Sequence, residues 1–210
     1  MKLVQIRERV KKRNPDFIGI EKRSAVFLPL ISGHERSNQD NNIDILFQVR
    51  SKSLDIQPGE ISLPGGKKEV NETYKQTAIR ETKEELGVTD SNIQLYGPMD
   101  ALITPYNLMI VPYIGELVGV NPAQLNINKA EVNHIFTVPV DFFVQNPPRE
   151  YTMTVLPHPE GDFPFHLVPY GEEYPFRQGK YPSYFYTYKR YTIWGFTARI
   201  VKHFIETIYV

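Results

Sequence analysis

The chain has 210 residues, of which 41% are hydrophobic and 23% are charged, a composition typical of a folded globular protein and unlike a disordered or fibrous one. Its 24 basic residues equal its 24 acidic residues, so no net charge attracts the chain to nucleic acid or an anionic membrane. Cysteine is absent, which excludes a disulfide framework, a thiolate metal site and a cysteine nucleophile. We therefore expect a single domain over residues 1–210, a cytoplasmic location, and neither a nucleic-acid nor a membrane partner.

The first half of the chain contains a short helix, two strands and a longer helix. Leu3, Ile6 and Val10 recur at helical spacing, which predicts an amphipathic surface helix packed by its apolar face on the domain. Pro15 ends this pattern, and Gly87 is placed to cap the second helix. Helices are predicted over residues 1–14 and 72–86, strands over 25–31 and 43–50, and a polar loop over 32–42.

The second half contains further strands, a long insertion and a closing helix. Strands are predicted over residues 93–99, 109–117, 132–138, 151–156 and 184–188. Residues 157–182 are rich in proline, glycine and aromatic residues without a regular period, which predicts an irregular insertion rather than a strand. An apolar stripe predicts a core-packing helix over residues 195–208, preceded by Trp194, which we assign to the core.

Aromatic side chains in the insertion have two interpretations. They stack on an adenine or shelter an extended organic arm, or they cover the interface of a homodimer, which exposed aromatic patches more often mark. The side chains concerned are Phe163, Phe165, Tyr170, Tyr174 and Phe176.

Three acidic residues crowd one face of the second predicted helix. Glu81, Glu84 and Glu85 stand at positions i, i+3 and i+4, so their like charges repel unless a cation lies among them. Carboxylate oxygens suit Mg²⁺ or Mn²⁺, ions that neutralise phosphate oxygens and lower the pKa of a bound water. The pattern predicts a divalent-metal site for cleavage of a phosphoanhydride, although three such residues in isolation also occur on a solvated helix face.

The residues around these carboxylates resolve that ambiguity, because their spacing resembles the signature of the Nudix hydrolase superfamily. That signature is Gly-x5-Glu-x7-Arg-Glu-U-x-Glu-Glu-x-Gly-U, where U is a bulky apolar residue. Thr82 is the departure, and its place near Ile79 and Leu86 indicates an effect on packing rather than on metal binding. The matching residues, called the box below, are Gly66, Glu72, Arg80, Glu81, Glu84, Glu85, Leu86, Gly87 and Val88.

The resemblance implies an α/β fold, the Nudix α/β/α sandwich with a mixed central sheet. It implies Glu81 and Glu85 as principal ligands of Mg²⁺ or Mn²⁺, with Glu84 as a further ligand or a water-orienting catalytic group. The Gly65 carbonyl completes the ligand set. Arg80 pairs with Glu72 to brace the box structurally, and Gly66 allows close approach of the backbone. A general base outside the box is assigned to Glu131, at the head of a predicted strand, with Glu116 as second candidate.

The segment before the box resembles the element of the coenzyme A pyrophosphatase subgroup. Arg50, Ser51, Gly59 and Pro64-Gly65-Gly66 match it, whereas Gln48, Asp55 and Leu63 stand where the pattern has Thr, Arg and Phe. The resemblance implies hydrolysis of coenzyme A or its thioesters to 3′,5′-ADP and 4′-phosphopantetheine or its acyl form. It also makes Arg50 and Ser51 candidate substrate-binding residues, since a guanidinium matches phosphate.

Two alternatives stay open at this point. Asp55 replaces a phosphate-binding cation with an acid, which favours another nucleoside diphosphate derivative such as ADP-ribose or NADH. A non-catalytic nucleotide-sensing module is the alternative of a different class, but such modules usually lose box glutamates that this chain retains. The sequence leaves open the acyl-chain preference, the number and type of metal ions, and the oligomeric state.

Overall fold

The structure is a computed structural model that describes residues 2–32 and 43–209. Four helices are described, α1 (Leu3–Lys11), α2 (Tyr74–Leu86), α3 (Val140–Gln145) and α4 (Gly195–Ile208). The strands are β1 (Lys22–Ser32), β2 (Ile43–Arg50), β3 (Ile61–Ser62), β4 (Gly65–Lys67), β5 (Ile93–Pro98), β6 (Leu102–Ile103), β7 (Leu108–Leu117), β8 (Val132–Pro139), β9 (Arg149–Val155), β10 (Gly179–Tyr188) and β11 (Tyr191–Trp194).

Eight strands form a mixed main sheet. Its central order is β3-β2-β1-β7-β5, with β4 paired to β1, β6 to β7 and β8 to β2. The β1 and β7 strands run parallel from the Lys22–Leu108 pair to the Leu30–Glu116 pair, whereas β2 and β4 pair with β1 antiparallel. Because β1 lies at the centre, both its faces are covered and its side chains alternate between two cores.

The two faces of the sheet are covered by different helices. Ala25 and Phe27 of β1 join Ala78 and Leu86 of α2 in one buried cluster. Leu28 of β1 faces the other way and joins a cluster that contains the apolar stripe of α4, namely Ala198, Ile200, Val201, Phe204 and Ile205. This arrangement confirms the expected α/β/α sandwich with a mixed central sheet.

The three C-terminal strands form a separate antiparallel sheet, in the order β11-β10-β9. Its β10 strand begins at Gly179, opposite Val155, so the prediction of an irregular segment as far as residue 182 is wrong for the last four residues. These four residues are extended because they pair with β9. Their partners lie more than twenty residues earlier in the chain, so local composition does not predict the pairing. The short elements α3 and β11 were also not predicted, because six and four residues are too few to establish a period.

Trp194 is not a core residue. It is 40% exposed and stacks on Phe185, with ring centroids 5.7 Å apart. Its neighbour Ile193 is fully buried, and successive side chains of a strand point to opposite faces, so Trp194 is directed outward. The assignment of Trp194 to the core is therefore wrong.

The N-terminal helix does not pack as predicted. No residue of α1 is buried, and Leu3, Val4 and Val10 are each more than 60% exposed. The predicted loop over residues 32–42 lies outside the described residues, apart from Ser32, which ends β1. Within the described ranges, no helix is long and apolar enough to cross a membrane.

The aromatic side chains of the insertion contact one another. Phe163 lies 4.8 Å from Phe165 and 6.1 Å from Phe176, and Tyr174 lies 4.9 Å from Phe176, measured between ring centroids. Tyr170 stays 78% exposed. These contacts form a local aromatic cluster, and its role in a homodimer stays a prediction.

Candidate active site

The box occupies the loop before α2 and the helix itself, and local interactions fix both helix ends. The Thr73 hydroxyl accepts a hydrogen bond from the Gln76 backbone at 3.3 Å, and the Gln76 side chain accepts from the Thr73 backbone at 2.8 Å. Gly87 ends the helix in the left-handed conformation at φ 69°. Thr82 is fully buried and its hydroxyl donates to the Ala78 carbonyl at 2.7 Å, so this departure from the signature faces inward as predicted.

Two glycines allow the helix carboxylates to approach the central strand. Gly65 and Gly66 pair with Val26 and Ala25 of β1. A β-carbon on Gly65 would overlap the Ala25 backbone, and one on Gly66 would overlap the Glu81 carboxylate. The absence of a side chain at both positions is therefore a steric requirement.

Arg80 joins the loop to the helix. Its Nε donates to Glu72 at 2.6 Å, one Nη donates to the same carboxylate at 3.1 Å, and that Nη also donates to the Lys67 carbonyl at 3.2 Å. These charge-assisted bonds hold the pKa of Glu72 at about 2, well below its usual range. Glu72 also accepts from the Glu69 backbone and the Thr77 hydroxyl, so it organises the whole turn before α2.

The same guanidinium also contacts two of the clustered carboxylates. Its other Nη lies 2.9 Å from Glu81 and 3.0 Å from Glu84. Glu84 has a half-exposed side chain, whereas Glu81 is largely buried. The described residues contain no three acidic or imidazole groups that already converge as a metal-ligand set. Arg80 contacts Glu81 and Glu84, and the Gly65 backbone N–H donates to Glu85. The three glutamates share one region of α2, but they do not point at one centre.

Glu85 is the most deeply buried of the three, with 4% of its surface exposed. Its Oε2 accepts a hydrogen bond from the Gly65 backbone at 2.8 Å. Burial above all, with smaller contributions from repulsion by Glu81 and Glu131, raises the pKa of Glu85 to about 7 despite the opposing hydrogen bond from Gly65. Burial likewise raises the pKa of Glu81. Carboxylate oxygens that are removed from water and repel one another beside a partly buried glycine backbone have the chemistry of ligands for a divalent cation such as Mg²⁺ or Mn²⁺.

Gln48 is a further polar residue of this cluster that the sequence analysis treated only as a departure from the subgroup pattern. It is fully buried in the middle of β2, and its amide lies close enough to Glu85 to favour the charged carboxylate and lower its pKa. Neither its Nε2 nor its Oε1 completes a hydrogen bond with a described residue. The signal in the sequence was a glutamine inside an otherwise apolar strand core, Ile45 to Val49.

The two candidate bases lie in different places. Glu131 immediately precedes β8, and its carboxylate is near enough to Glu81 and Glu85 to raise the pKa of both. Glu116 instead accepts hydrogen bonds from Ser32 at 3.2 Å and Tyr96 at 2.9 Å. Glu116 pairs with Leu30 of β1, whereas Gly66 pairs with Ala25. Leu30 and Ala25 are five residues apart, so Glu116 lies roughly 16 Å along the strand from Gly66. Of the two, only Glu131 lies at the box.

The two candidate substrate-binding residues are both engaged within the protein. Arg50 donates through Nη2 to the Ile56 carbonyl at 3.1 Å, which braces the turn that follows β2. The buried Ser51 shares a hydrogen bond of 2.8 Å with Ser53, and its backbone N–H donates to the Glu131 carbonyl. Ser51 therefore positions the loop that carries Glu131.

A cavity of about 440 Å³, called the sheet cavity below, borders the box. Gly65 and Gly66 form part of its wall, and its charged lining residues are Arg50 and Glu60. Its apolar wall comes from separate elements, with Tyr106, Met153, Tyr181, Trp194 and Phe196 among its members. The lining includes none of the five aromatic residues singled out in the insertion, whereas Trp194, predicted to be a core residue, lines the cavity.

A second, open depression of about 580 Å³ lies along the loop after Gly66. Lys67 and Lys68 line it together with Arg80 and Glu81. These lysines occupy no fixed position of the signature, although two cations directly after the glycine pair are suitably placed for phosphate oxygens. The box thus lies between an apolar cavity and a cationic depression.

Comparison with known proteins agrees with this geometry. The family model described as the NUDIX domain matches residues 21–164. Nudix hydrolase 22, chloroplastic, of Arabidopsis thaliana is 27% identical over 193 residues, which cover 90% of this chain and 56% of the relative. A peroxisomal coenzyme A diphosphatase of Mus musculus is 29% identical over 147 residues, covering 70% of this chain and 58% of that protein. The chain thus spans about half the length of these relatives.

A solved structure shows the same fold. A MutT/nudix family protein from Enterococcus faecalis superposes with a TM-score of 0.51 at 14% identity, covering 99% of this chain and 70% of that one. The signature spacing, the sandwich fold and a family model that matches more than half of the residues lead to one conclusion: the chain belongs to the Nudix family.

Proposed function

We propose that the chain is a metal-dependent hydrolase that cleaves the diphosphate linkage of coenzyme A or an acyl-coenzyme A. The products are 3′,5′-ADP and 4′-phosphopantetheine or its acyl form. The observation that carries this proposal is the position of Gly65 and Gly66, which contact the buried carboxylates of Glu81 and Glu85 and also form a wall of the sheet cavity. A diphosphate at the glycines places its organic arm against that cavity.

The residues at the site have distinct tasks in this proposal. Glu81, Glu85, Glu84 and the Gly65 carbonyl would hold Mg²⁺ or Mn²⁺, which supplies charge neutralisation at phosphate oxygens and a water of lowered pKa. Glu131 accepts a proton from the attacking water, since its carboxylate lies near Glu81 and Glu85. Arg80 keeps Glu81 and Glu84 in register with the glycine loop.

The sheet cavity, the segment before the box and the names of two relatives support coenzyme A as the substrate. The sheet cavity is large enough for a small-molecule arm and is lined by aromatic and apolar side chains. The Arg50-Ser51 element and the glycine pair match the subgroup pattern, and a mouse and a human relative are named as coenzyme A diphosphatases. Arg50 at the cavity wall is suited to a phosphate oxygen if it exchanges its bond to Ile56.

One observation favours the second candidate, hydrolysis of ADP-ribose or NADH. Asp55 stands where the subgroup pattern has arginine, and it is exposed in the turn after β2 rather than part of the cavity lining. The non-catalytic nucleotide-sensing alternative is disfavoured by the intact set of Glu81, Glu84 and Glu85. The cytoplasmic location stays a prediction, since the relatives carry chloroplastic, peroxisomal and mitochondrial names.

The test is incubation of the purified chain with Mg²⁺ or Mn²⁺ and a panel of coenzyme A, acyl-coenzyme A, ADP-ribose and NADH, followed by separation of the products. Release of 3′,5′-ADP supports the proposal, and cleavage of ADP-ribose or NADH alone supports the second candidate. Glu85→Gln is the control for the site, because removing a metal ligand is expected to lower turnover by orders of magnitude. Binding without cleavage of any compound would support the sensing module.

A further inference from the structure

A separate cavity of about 240 Å³, called the helix cavity below, lies between α4 and the segment after β5. Ile200 of α4 lines both this cavity and the sheet cavity, so the two are neighbours. Pro112, on the wall of the helix cavity, is in register with Val26, which is in register with Gly65. Two strand spacings separate Gly65 from Pro112, roughly 10 Å. The helix cavity is therefore within reach of a ligand whose diphosphate lies at the glycine pair.

Most of the charged side chains of the helix cavity already have partners. Lys202 forms an ion pair with Glu206 one turn further along α4. His203 lies 2.9 Å from Asp100, whose side chain is 85% exposed at the cavity mouth. Both acids of this cavity are therefore held by other residues.

Arg199 is the exception. Among the described residues, no group accepts a hydrogen bond from its buried Nη1, and no acid forms an ion pair with its guanidinium. The guanidinium stacks on the ring of Tyr181, whose centroid lies 4.9 Å from the guanidinium carbon. By contrast, Arg23 is paired with Asp16, and Arg80 with three glutamates. A partly buried guanidinium with an unmatched N–H requires an acceptor, and the side chains around it supply none.

The position of Arg199 indicates what that acceptor is. Tyr181, on which the guanidinium stacks, is also a wall residue of the sheet cavity, so the cation lies at the border of the two cavities. Arg50, the cation of the sheet-cavity wall, already donates a hydrogen bond to the Ile56 carbonyl. Asp55 occupies the position at which the subgroup pattern has a second arginine. A planar guanidinium at such a border is suited to the paired oxygens of a phosphate monoester.

We propose that Arg199 binds the 3′-phosphate of the coenzyme and so selects the 3′-phosphorylated substrate. This inference rests on the proposed function, because it assigns one group of the same substrate. A phosphate on the adjacent ribose lies one sugar away from the diphosphate, a reach comparable with the separation of Gly65 and Pro112. Lys202 and His203 add cationic or donor character to the same cavity once a phosphate competes with their exposed acids.

The kinetic test compares coenzyme A with dephospho-coenzyme A, which lacks only the 3′-phosphate. For Arg199→Met we expect kcat/KM for coenzyme A to fall about tenfold to a hundredfold, the usual contribution of a charge-assisted contact, while the value for dephospho-coenzyme A changes less than about twofold. Arg199→Lys keeps the charge and should retain part of the preference. Arg190→Met removes an exposed cation from the turn between β10 and β11 as a matched control. An equal fall with both substrates, or no fall with either, overturns the proposal.

A binding test separates this inference from the proposed function, because it needs no turnover. Calorimetric titration of the unmodified chain with 3′,5′-ADP, 5′-AMP and inorganic phosphate should show tighter binding of 3′,5′-ADP, and Arg199→Met should abolish that preference. If the chain does not cleave coenzyme A but keeps the preference, the proposed function fails and the phosphate site stands. Equal affinity for 3′,5′-ADP and 5′-AMP overturns the site even if coenzyme A is cleaved.

Discussion

The side-chain amide of Gln48 lies beside the carboxylate of Glu85, whose Oε2 accepts the Gly65 backbone N–H at 2.8 Å. The amide is fully buried, and neither of its polar atoms completes a hydrogen bond within the described part of the chain. An amide in this state destabilises the isolated fold, and its position beside a candidate metal ligand indicates that it orients Glu85 or a water of the metal.

Replacing Gln48 should therefore separate stability from metal binding. Gln48→Leu removes two unsatisfied polar atoms, so the free energy of unfolding in the presence of a chelator should stay the same or rise by about 1–3 kcal/mol. The affinity for Mn²⁺, measured by electron paramagnetic resonance, should fall about tenfold to a hundredfold, as for other residues that support a metal ligand. Gln48→Thr, the residue of the subgroup pattern, is the control that restores a small polar group. Lower stability with unchanged Mn²⁺ affinity would show that Gln48 is only a packing residue.

The bonds from Arg80 to Glu72 predict a structural penalty for losing the guanidinium. Arg80→Ala leaves a largely buried Glu72 carboxylate without its cation and frees the Lys67 carbonyl, so unfolding with denaturant should become about 1–3 kcal/mol easier. Activity should fall as well, because Glu81 and Glu84 lose their shared donor.

A matched control for Arg80 lies on the same helix. Lys83 forms an exposed ion pair with Asp90 at 2.7 Å, a type of contact that contributes about 0–1 kcal/mol. Lys83→Ala should leave both stability and turnover close to those of the unmodified chain. Equal losses for the two variants would mean that any cation removed from α2 is costly, and that Arg80 has no special role.

The steric requirement at Gly66 gives a prediction about the metal site alone. In Gly66→Ala the new methyl group occupies the position of the Glu81 carboxylate, which must turn away. Mn²⁺ affinity and turnover should each fall at least about tenfold. Gly97→Ala, at a position with open space around the new β-carbon, is the control and should bind Mn²⁺ normally. Normal Mn²⁺ binding by Gly66→Ala would remove Glu81 from the ligand set.

The parts of the site that sequence could predict are those fixed within a few residues of one another. The spacing of Glu81, Glu84 and Glu85 on one helix, and the cap at Gly87, follow from helical geometry and recur in the structure. The wall of the sheet cavity could not be predicted in this way. Met153, Tyr181 and Trp194 reach it through pairing of β9, β10 and β11, which depends on contacts between residues distant in sequence. The role of Arg199 could not be predicted locally either, because it depends on the hydrogen-bond partner that Nη1 lacks among the described residues.

The two acidic residues considered as general base provide a matched pair of variants. Glu131→Gln keeps the size of the side chain and the backbone bond from Ser51, but it removes the carboxylate that would accept a proton. Turnover should fall about 10²–10⁴-fold, the usual contribution of general acid–base catalysis, with little change in KM.

Glu116→Gln alters a carboxylate roughly 16 Å along the sheet from Gly66, where it binds Ser32 and Tyr96, and turnover should stay within about twofold. Because neither residue belongs to the box, thermal unfolding of both variants should match that of the unmodified chain, so a difference in rate reports chemistry rather than folding. Retained turnover in Glu131→Gln would assign the base to a carboxylate of the box, of which the half-exposed Glu84 is the most accessible to water.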